Sequence, residues 1–513
     1  MKTVSLLLAV LLLMIPLCAC GNAGESENSA AIPDLPVSEA ESVIESEPEP
    51  EPEPIDYDVV YYRFYADEAD SLAAKMGELY GKTPAVVKYD QNAAMPEHAI
   101  YLGQVTDGVG NELCDSVKSL DYGVKSVDGN IYVYGGSRAA VKDGIAYFAE
   151  NFLLEKGVAP EGCDFLHEHI YALAGAAVNG TPISEFTVIF SPTDNEAKYS
   201  NVATAIKNDL SENADASVKT AASTKGEAAC EILLGCATGR DISKQYKEKD
   251  FAYNEYLVEV SGSKVAIVGG NACAVWHGWK AFCEYVKQCE NLDAADTTLR
   301  GTADIIKVAC VGDSITIGIN SSDPYVYTYP NYLQEMLGYG YYVRNFGASG
   351  YSVVYTDEYA YSKHAFYLQS KQFAADVVIW MLGTNDGNPG QAYKAWEGTD
   401  REAKYIKSAN DMFAAYEKAN PDVQIFVSLP ATLFESTTWV QWKEWGDRIV
   451  KYVIPLNGAL AEDHGYPTID MYSWSLEHPG VFPDGLHPKD RTYKDYAQRV
   501  YDEIIDVIKK PAE

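Results

Sequence analysis

Two stretches of this chain are copies of one another. Gly135-Gly136-Ser137-Arg138-Ala139-Ala140-Val141-Lys142-Asp143-Gly144 and Gly269-Gly270-Asn271-Ala272-Cys273-Ala274-Val275-Trp276-His277-Gly278 match at a constant offset of 134. Phe148 and Phe282, Glu150 and Glu284, and Tyr122-Gly123-Val124 and Tyr256-Leu257-Val258 keep that register. Ile100-Tyr101-Leu102-Gly103 answers to Ile232-Leu233-Leu234-Gly235 with a two-residue gap. Each copy reads as strand, helix, strand, strand pair, glycine turn, helix. So long a period with two copies predicts a duplicated α/β module (57–180 and 181–300), not a solenoid. The full length of 513 residues leaves room for a further folded unit behind it.

Ahead of the repeats the chain reads as a leader and a spacer. Met1-Lys2 precedes an apolar run from Val4 to Leu17, too short for the roughly 20 residues that span a bilayer but suited to the core of a signal peptide. The run ends in Leu17-Cys18-Ala19-Cys20-Gly21, which resembles the lipobox of bacterial lipoproteins. That resemblance implies cleavage after residues 1–20, acylation of Cys20 and anchoring to the outer face of a bacterial membrane. The alternative is a soluble secreted protein cut nearby. Residues 21–56, with Glu47-Pro48-Glu49-Pro50-Glu51-Pro52-Glu53-Pro54, predict a disordered acidic spacer, on the order of 100 Å if extended at about 3.1 Å per residue.

The formal charge is −34, from 40 Lys+Arg against 74 Asp+Glu, with no dense basic cluster, so nucleic acid is excluded as a partner. Twelve of the acids and none of the bases lie in residues 25–58, so about a third of the imbalance belongs to the spacer. The rest disfavours polyanionic substrates. Beyond Cys18 and Cys20, eight cysteines are too sparse for a disulfide scaffold and read as small buried hydrophobes. There is no CxxC, HExxH or Cys/His cluster at zinc spacing, so neither a metal nor a cofactor is expected.

The paired glycines before each repeat's second helix invite a phosphate-binding reading, but neither GxGxxG nor GxxxxGK[ST] is present, and a tight strand-to-helix turn accounts for them. The repeats look like the small α/β domain ahead of the catalytic barrel in α-glucuronidases and related glycosidases. That resemblance brings no catalytic residues and implies no more than carbohydrate company.

The chemistry lies between 304 and 513. Ile305–Val311 is a buried-strand run ending in Gly312-Asp313-Ser314-Ile315-Thr316, an acid and a hydroxyl at a strand-to-helix switch, where open α/β sheets bind ligands. Taken alone, this turn is equally a helix cap. Three more blocks follow: Val343-Arg344-Asn345-Phe346-Gly347-Ala348-Ser349-Gly350, the strand Val377–Leu382 leading into Gly383-Thr384-Asn385-Asp386, and Phe482-Pro483-Asp484-Gly485-Leu486-His487-Pro488. Together they resemble the SGNH (GDSL) hydrolases over residues 305–510. The resemblance implies a three-layer α/β/α, flavodoxin-like domain with a parallel sheet of about five strands, and a carboxylic ester hydrolase. It makes Ser314 the nucleophile, His487 the base and Asp484 its partner, with Ser314, Gly347 and Asn385 as oxyanion donors. The chemistry concurs: a serine hydroxyl needs a base that titrates near neutrality, and an acid three residues away can hold the imidazole tautomer.

Other residues carry structural expectations. Asp313 should brace the turn, Cys310 should pack in the core, Asp386 should fix its loop, and His464 should cap a helix; His364 and His478 are isolated. The helix Arg401–Ala419 should lead through Pro421 to a strand Gln424–Leu429, with a further strand Tyr466–Met471.

The loops around the blocks are rich in rings: Tyr325, Tyr327, Tyr329, Tyr332, Tyr351, Tyr355, Tyr359, Tyr361, Tyr393, Trp396, Trp439, Trp442 and Trp445. Aromatic faces beside hydroxyls suit an open sugar cleft, with Tyr351, Trp396 and Trp439 as candidate contacts. The spacing of Trp439, Trp442 and Trp445 is also that of a packed helix face. The expected reaction is removal of small acyl groups, above all acetyl, from carbohydrate hydroxyls. The alternatives are a lipid or thioester hydrolase of the same fold, lysophospholipase-like, and a non-catalytic carbohydrate-binding lipoprotein.

Overall fold

A computed structural model describes residues 56–105, 108–154, 157–158, 160–193, 198–390 and 395–511. The signal sequence, Cys20, the spacer up to residue 55 and Tyr393 lie outside the described residues.

The two repeats form two six-stranded sheets with the same strand order. In space the first runs Val86–Lys88, Asp58–Tyr61, Ala99–Leu102, Asn130–Gly135, Tyr122–Val127, Asp164–His167. The second runs Lys219–Ala222, Thr187–Phe190, Glu231–Leu234, Lys264–Gly269, Glu255–Ser261, Thr297–Thr302. In each, the first three pairings are parallel and the last two antiparallel, so that the fifth strand alone runs against the other five. The offset of 134 survives as register: Tyr122 faces Gly135, and Tyr256 faces Gly269.

Each repeat holds more strands than its sequence pattern predicts. The short parallel edge strands and the closing strand of the first repeat carry no clean alternation of buried and exposed residues, and in the closing strand of the second, Thr297–Thr302, the alternation runs only between half-buried and exposed positions, so periodicity does not mark them. The paired glycines are required by packing. A Cβ on Gly136 would lie 2.0 Å from the Lys118 carbonyl oxygen, and one on Gly270 would lie 2.1 Å from that of Ala252.

The C-terminal sheet has five parallel strands in the order Tyr341–Gly347, Ile306–Gly312, Val377–Met381, Gln424–Leu429, Thr468–Asp470. Side chains alternate across it, and both faces are covered, which explains the near-continuous apolar runs. Val308, Cys310, Val377 and Ile379 pack with helices Tyr329–Leu337 and Thr492–Ile504 on one side. Ala309, Val311, Val378 and Trp380 pack with helices Arg401–Ala419 and Ile454–His464 on the other. The result is a three-layer α/β/α domain. Numbered within the domain, the strand order is 2-1-3-4-5, whose switch point lies between Ile306–Gly312 and Val377–Met381. The last strand is shorter than the expected Tyr466–Met471.

The second repeat packs on this domain through helix Ala272–Gln288. Cys273 Sγ donates to the Tyr341 carbonyl (3.1 Å), a His277 Nε2 hydrogen bond reaches the Tyr339 carbonyl (3.2 Å), and Trp276 stacks on Tyr339. Cys114, Cys230, Cys273, Cys283, Cys289 and Cys310 are free thiols. Burial pushes the Cys310 thiol up to about 12, as befits a core residue and not a nucleophile.

Candidate active site

The strand Ile306–Gly312 delivers the chain to a one-turn helix, Ser314–Ile317, at the switch point. Asp313 caps it, Oδ1 accepting from the Ile315 amide (3.1 Å), which leaves the Ser314 hydroxyl for other work. Asp313 is fully enclosed, its Oδ2 has no partner among the described residues, and burial pushes its carboxyl up to about 6.

Ser314 Oγ donates to His487 Nε2 at 2.9 Å, and His487 Nδ1–H donates to Asp484 Oδ2 at 2.9 Å. The turn that carries both partners is tied together by Asp484 Oδ1, which accepts from the amides of Leu486 (2.9 Å) and His487 (2.6 Å). Asn320, 164 residues away in sequence, adds a hydrogen bond from Nδ2 to Asp484 Oδ2 (2.8 Å). Burial raises the Asp484 carboxyl, but hydrogen bonds from the His487 ring, from its amide and from the Leu486 amide hold it well below the ordinary carboxylate range. Asp484 is therefore a permanent anion, suited to hold the tautomer in which His487 Nε2 is the acceptor.

Asn385 enters from the end of Val377–Met381 on the short turn Thr384–Gly387. Two indoles pin that turn. Trp445 Nε1 donates to the Thr384 carbonyl (2.5 Å), and Trp396 Nε1 donates to that of Asp386 (2.8 Å). The Asp386 carboxylate accepts from the amides of Val353 (2.8 Å) and Val354 (3.3 Å) and pairs with Arg401 (3.1 Å), which also grips Asp357 with two bonds of 2.8 Å. Arg401, 2% exposed, thus ties the Asn385 turn to the loop after Gly350. Burial pushes the Asp386 carboxyl up, and the guanidinium opposes the shift.

Two expectations are corrected. Gly347 does not present its N–H to the site; the amide donates to Asn345 Oδ1 (2.9 Å), while Asn345 Nδ2 donates to the Thr316 carbonyl (2.7 Å). Glycine is needed there because a Cβ would lie 2.2 Å from the Ile317 nitrogen. The chain meets Asn385 further on, where Asn385 Nδ2 donates to the Tyr351 carbonyl (3.1 Å), just past Gly350 at φ +81°. Nor is Trp396 a cleft residue. It is buried, stacks on Tyr452 at 4.8 Å and spends its N–H on the Asp386 loop.

The other rings divide. Tyr329, Tyr361 and Trp445 are core, whereas Tyr325, Tyr327, Tyr355 and Tyr359 are exposed. Tyr351 sits beside Asn385, edge-on to His364, whose Nδ1 caps the helix Ala365–Phe373. Trp439 lies edge-on to His487 with centroids 5.6 Å apart, and its buried N–H has no partner among the described residues. His464 ends its helix and bonds Asn410 Oδ1, and His478 bonds the Trp474 carbonyl. Asn320, Arg401 and Trp445 are the contributors that sequence reasoning missed. Among the described residues, no group of three or more His, Cys, Asp or Glu is placed to hold a metal ion.

Residues 310–494 match the model of the GDSL-like Lipase/Acylhydrolase family, and this part of the chain is a GDSL-like lipase/acylhydrolase domain. Among curated proteins, an acetylxylan esterase of Xylanibacter ruminicola is 29% identical over 208 residues, 38% of this chain and 42% of that protein. The chain thus spans less than half the length of that relative. A carbohydrate acetylesterase family member from Sinorhizobium meliloti is 19% identical, over 39% of this chain and 96% of that one, with a TM-score of 0.31. The aryl esterase of M. smegmatis is 18% identical, over 40% and 100%, also with a TM-score of 0.31.

Proposed function

We propose that this chain is a serine esterase that removes small acyl groups, acetyl above all, from carbohydrate hydroxyls. The observation that carries the reading is the unbroken hydrogen-bonded series Ser314, His487, Asp484 at the carboxyl end of a parallel sheet. In this mechanism His487 Nε2 takes the Ser314 proton as Oγ attacks the ester carbonyl, and Asp484 stabilises the imidazolium. The oxyanion is met by the Ser314 amide and by Asn385 Nδ2. Collapse returns the proton to the departing sugar oxygen. Water then enters by the same base, releasing the carboxylate and freeing Ser314.

The acetyl and sugar assignments draw support from the acetylxylan esterase relative and from Trp439 and Tyr351 at the rim. With them we propose export, acylation at Cys20 and display on a membrane's outer face, the anchor being the only membrane contact. The test is turnover of p-nitrophenyl acetate and of acetylated xylo-oligosaccharides by the full chain and by Ser314→Ala. A fall of about 10⁴ or more is expected. Unchanged turnover in the variant would sink the serine mechanism.

A further inference from the structure

A cleft of about 450 Å³ lies where the second repeat meets the hydrolase domain. Lys198 and Asn201 line one wall, and Asn331, Glu335 and Tyr339 line the other. Beside it lies a second hollow of about 240 Å³ that shares Lys198, Asn201 and Glu335 and adds Asp323 and the half-exposed ring of Tyr325. The position is chemically meaningful. The hollow sits at the carboxyl end of Thr187–Phe190, which neighbours Glu231–Leu234 at the switch point of the second sheet.

Several polar groups here are already engaged: Asn331 Nδ2 donates to the Pro324 carbonyl (3.1 Å), and Asp323 Oδ1 accepts from the Tyr325 amide (3.0 Å); three others are uncommitted. Among the described residues, the Lys198 ammonium, the Glu335 carboxylate and the Asn201 side-chain amide make no hydrogen bond or ion pair. Lys198 is nevertheless part-buried and held in the left-handed region at φ 51°, a conformation costly for a residue with a Cβ. Burial pushes its amine down to about 8 despite Glu335 and Asp323 nearby. Donors and acceptors kept apart across a cleft suit a ligand that both donates and accepts. A net charge of either sign would meet its like there, so the ligand is a neutral polyol.

One short loop runs from the triad to the hollow. Asn320 bonds Asp484, and Asp323, three residues on, borders the hollow, so the two lie at most about 10 Å apart along the chain.

We infer that this cleft is a remote glycan subsite, in which the second repeat and the hydrolase together hold a neutral stretch of the carbohydrate chain whose ester is cut at Ser314. This rests on the esterase reading and gives the second repeat a role in that reaction. Lys198 and Asn201 donate to sugar hydroxyls, Glu335 accepts from them, and Tyr325 offers a face.

The test uses the full chain and two variants from opposite walls, Lys198→Met and Glu335→Gln. Each is assayed on p-nitrophenyl acetate, on acetylated xylobiose and on acetylated xylohexaose, and titrated calorimetrically with unacetylated xylohexaose. The expected result is a wild-type kcat/KM about tenfold higher for the six-residue than for the two-residue substrate. In either variant that preference is lost through KM, p-nitrophenyl acetate turnover stays within about twofold, and xylohexaose binding weakens about tenfold. A length preference and a xylohexaose affinity that neither variant alters would overturn the inference. Absence of ester turnover in the wild type would instead overturn the esterase reading, and the titration alone would then decide the cleft.

Discussion

The chain makes the same local structure three times, a strand running through a tight turn into a helix, and uses it differently. In the repeats the polar residue at the turn is consumed as a cap: Ser137 Oγ accepts from the Ala140 amide (3.2 Å), and Asn271 Oδ1 accepts from that of Ala274 (3.0 Å). In the hydrolase domain the preceding residue, Asp313, caps in its place, and Ser314 Oγ turns to His487. A hydroxyl at a helix start becomes available for nucleophilic work only when a neighbour relieves it of capping. The difference between a structural turn and a reactive one is thus a division of labour between two adjacent side chains.

That contrast can be broken or sharpened by substitution. The largest effect should come from His487→Ala, which leaves Ser314 uncapping and without a base; kcat on p-nitrophenyl acetate should fall about 10⁴-fold or more, measured at saturating substrate. Asn385→Ala should lower kcat by about 10²–10³ with KM little changed, since its amide matters once charge develops on the carbonyl oxygen. An equal rise in KM would mark Asn385 as a ground-state contact.

Asp313→Asn keeps a capping side chain but removes a buried acid whose pKa is raised from 3.8 to about 6. A raised carboxyl binds its proton more tightly when folded, so its contribution is fully present below about pH 4 and is lost as pH rises through about 6. Urea unfolding should therefore show the Asn variant gaining about 2 kcal/mol on wild type between pH 4 and pH 7. A pH-independent difference would place the acid's role elsewhere.

Ser137→Ala should have the smallest effect, about 1 kcal/mol of stability with turnover unmoved. Ser314→Ala should do the reverse, abolishing turnover with a smaller stability change. Equal stability losses at both positions would erase the distinction between the two turns.

Legibility follows how local each interaction is. Asp484 and His487 share one short block, and Ser314 ends a clear apolar strand, so their mutual reach of 2.9 Å rests on motifs visible in one dimension. The helix Arg401–Ala419 and the strand Gln424–Leu429 have the boundaries their periodicity and Pro421 imply. Arg401 could be read only as a helix residue, because its partners Asp357 and Asp386 come from separate loops. Trp396 failed as a cleft candidate because composition says that a ring is present and not which way it faces. Gly347 failed as an oxyanion donor because the Asn345 side chain folds back on its amide, a contact that no motif announces. Asn320 carried no signal at all, since nothing in a lone loop asparagine announces a carboxylate 164 positions downstream.

The strand orders have a colloidal consequence. Among the described residues, the three larger open sheets leave six edges, each a row of backbone donors and acceptors on which another molecule could zip. Four of these strands, Val86–Lys88, Asp164–His167, Lys219–Ala222 and Thr468–Asp470, run for only three or four residues, too short to template a partner. The two long ones, Thr297–Thr302 and Tyr341–Gly347, each carry an exposed arginine, Arg300 and Arg344, which an identical edge from a second molecule would have to confront with its own. At high local density the molecules would thus repel one another at the very strands where sheet proteins otherwise fuse.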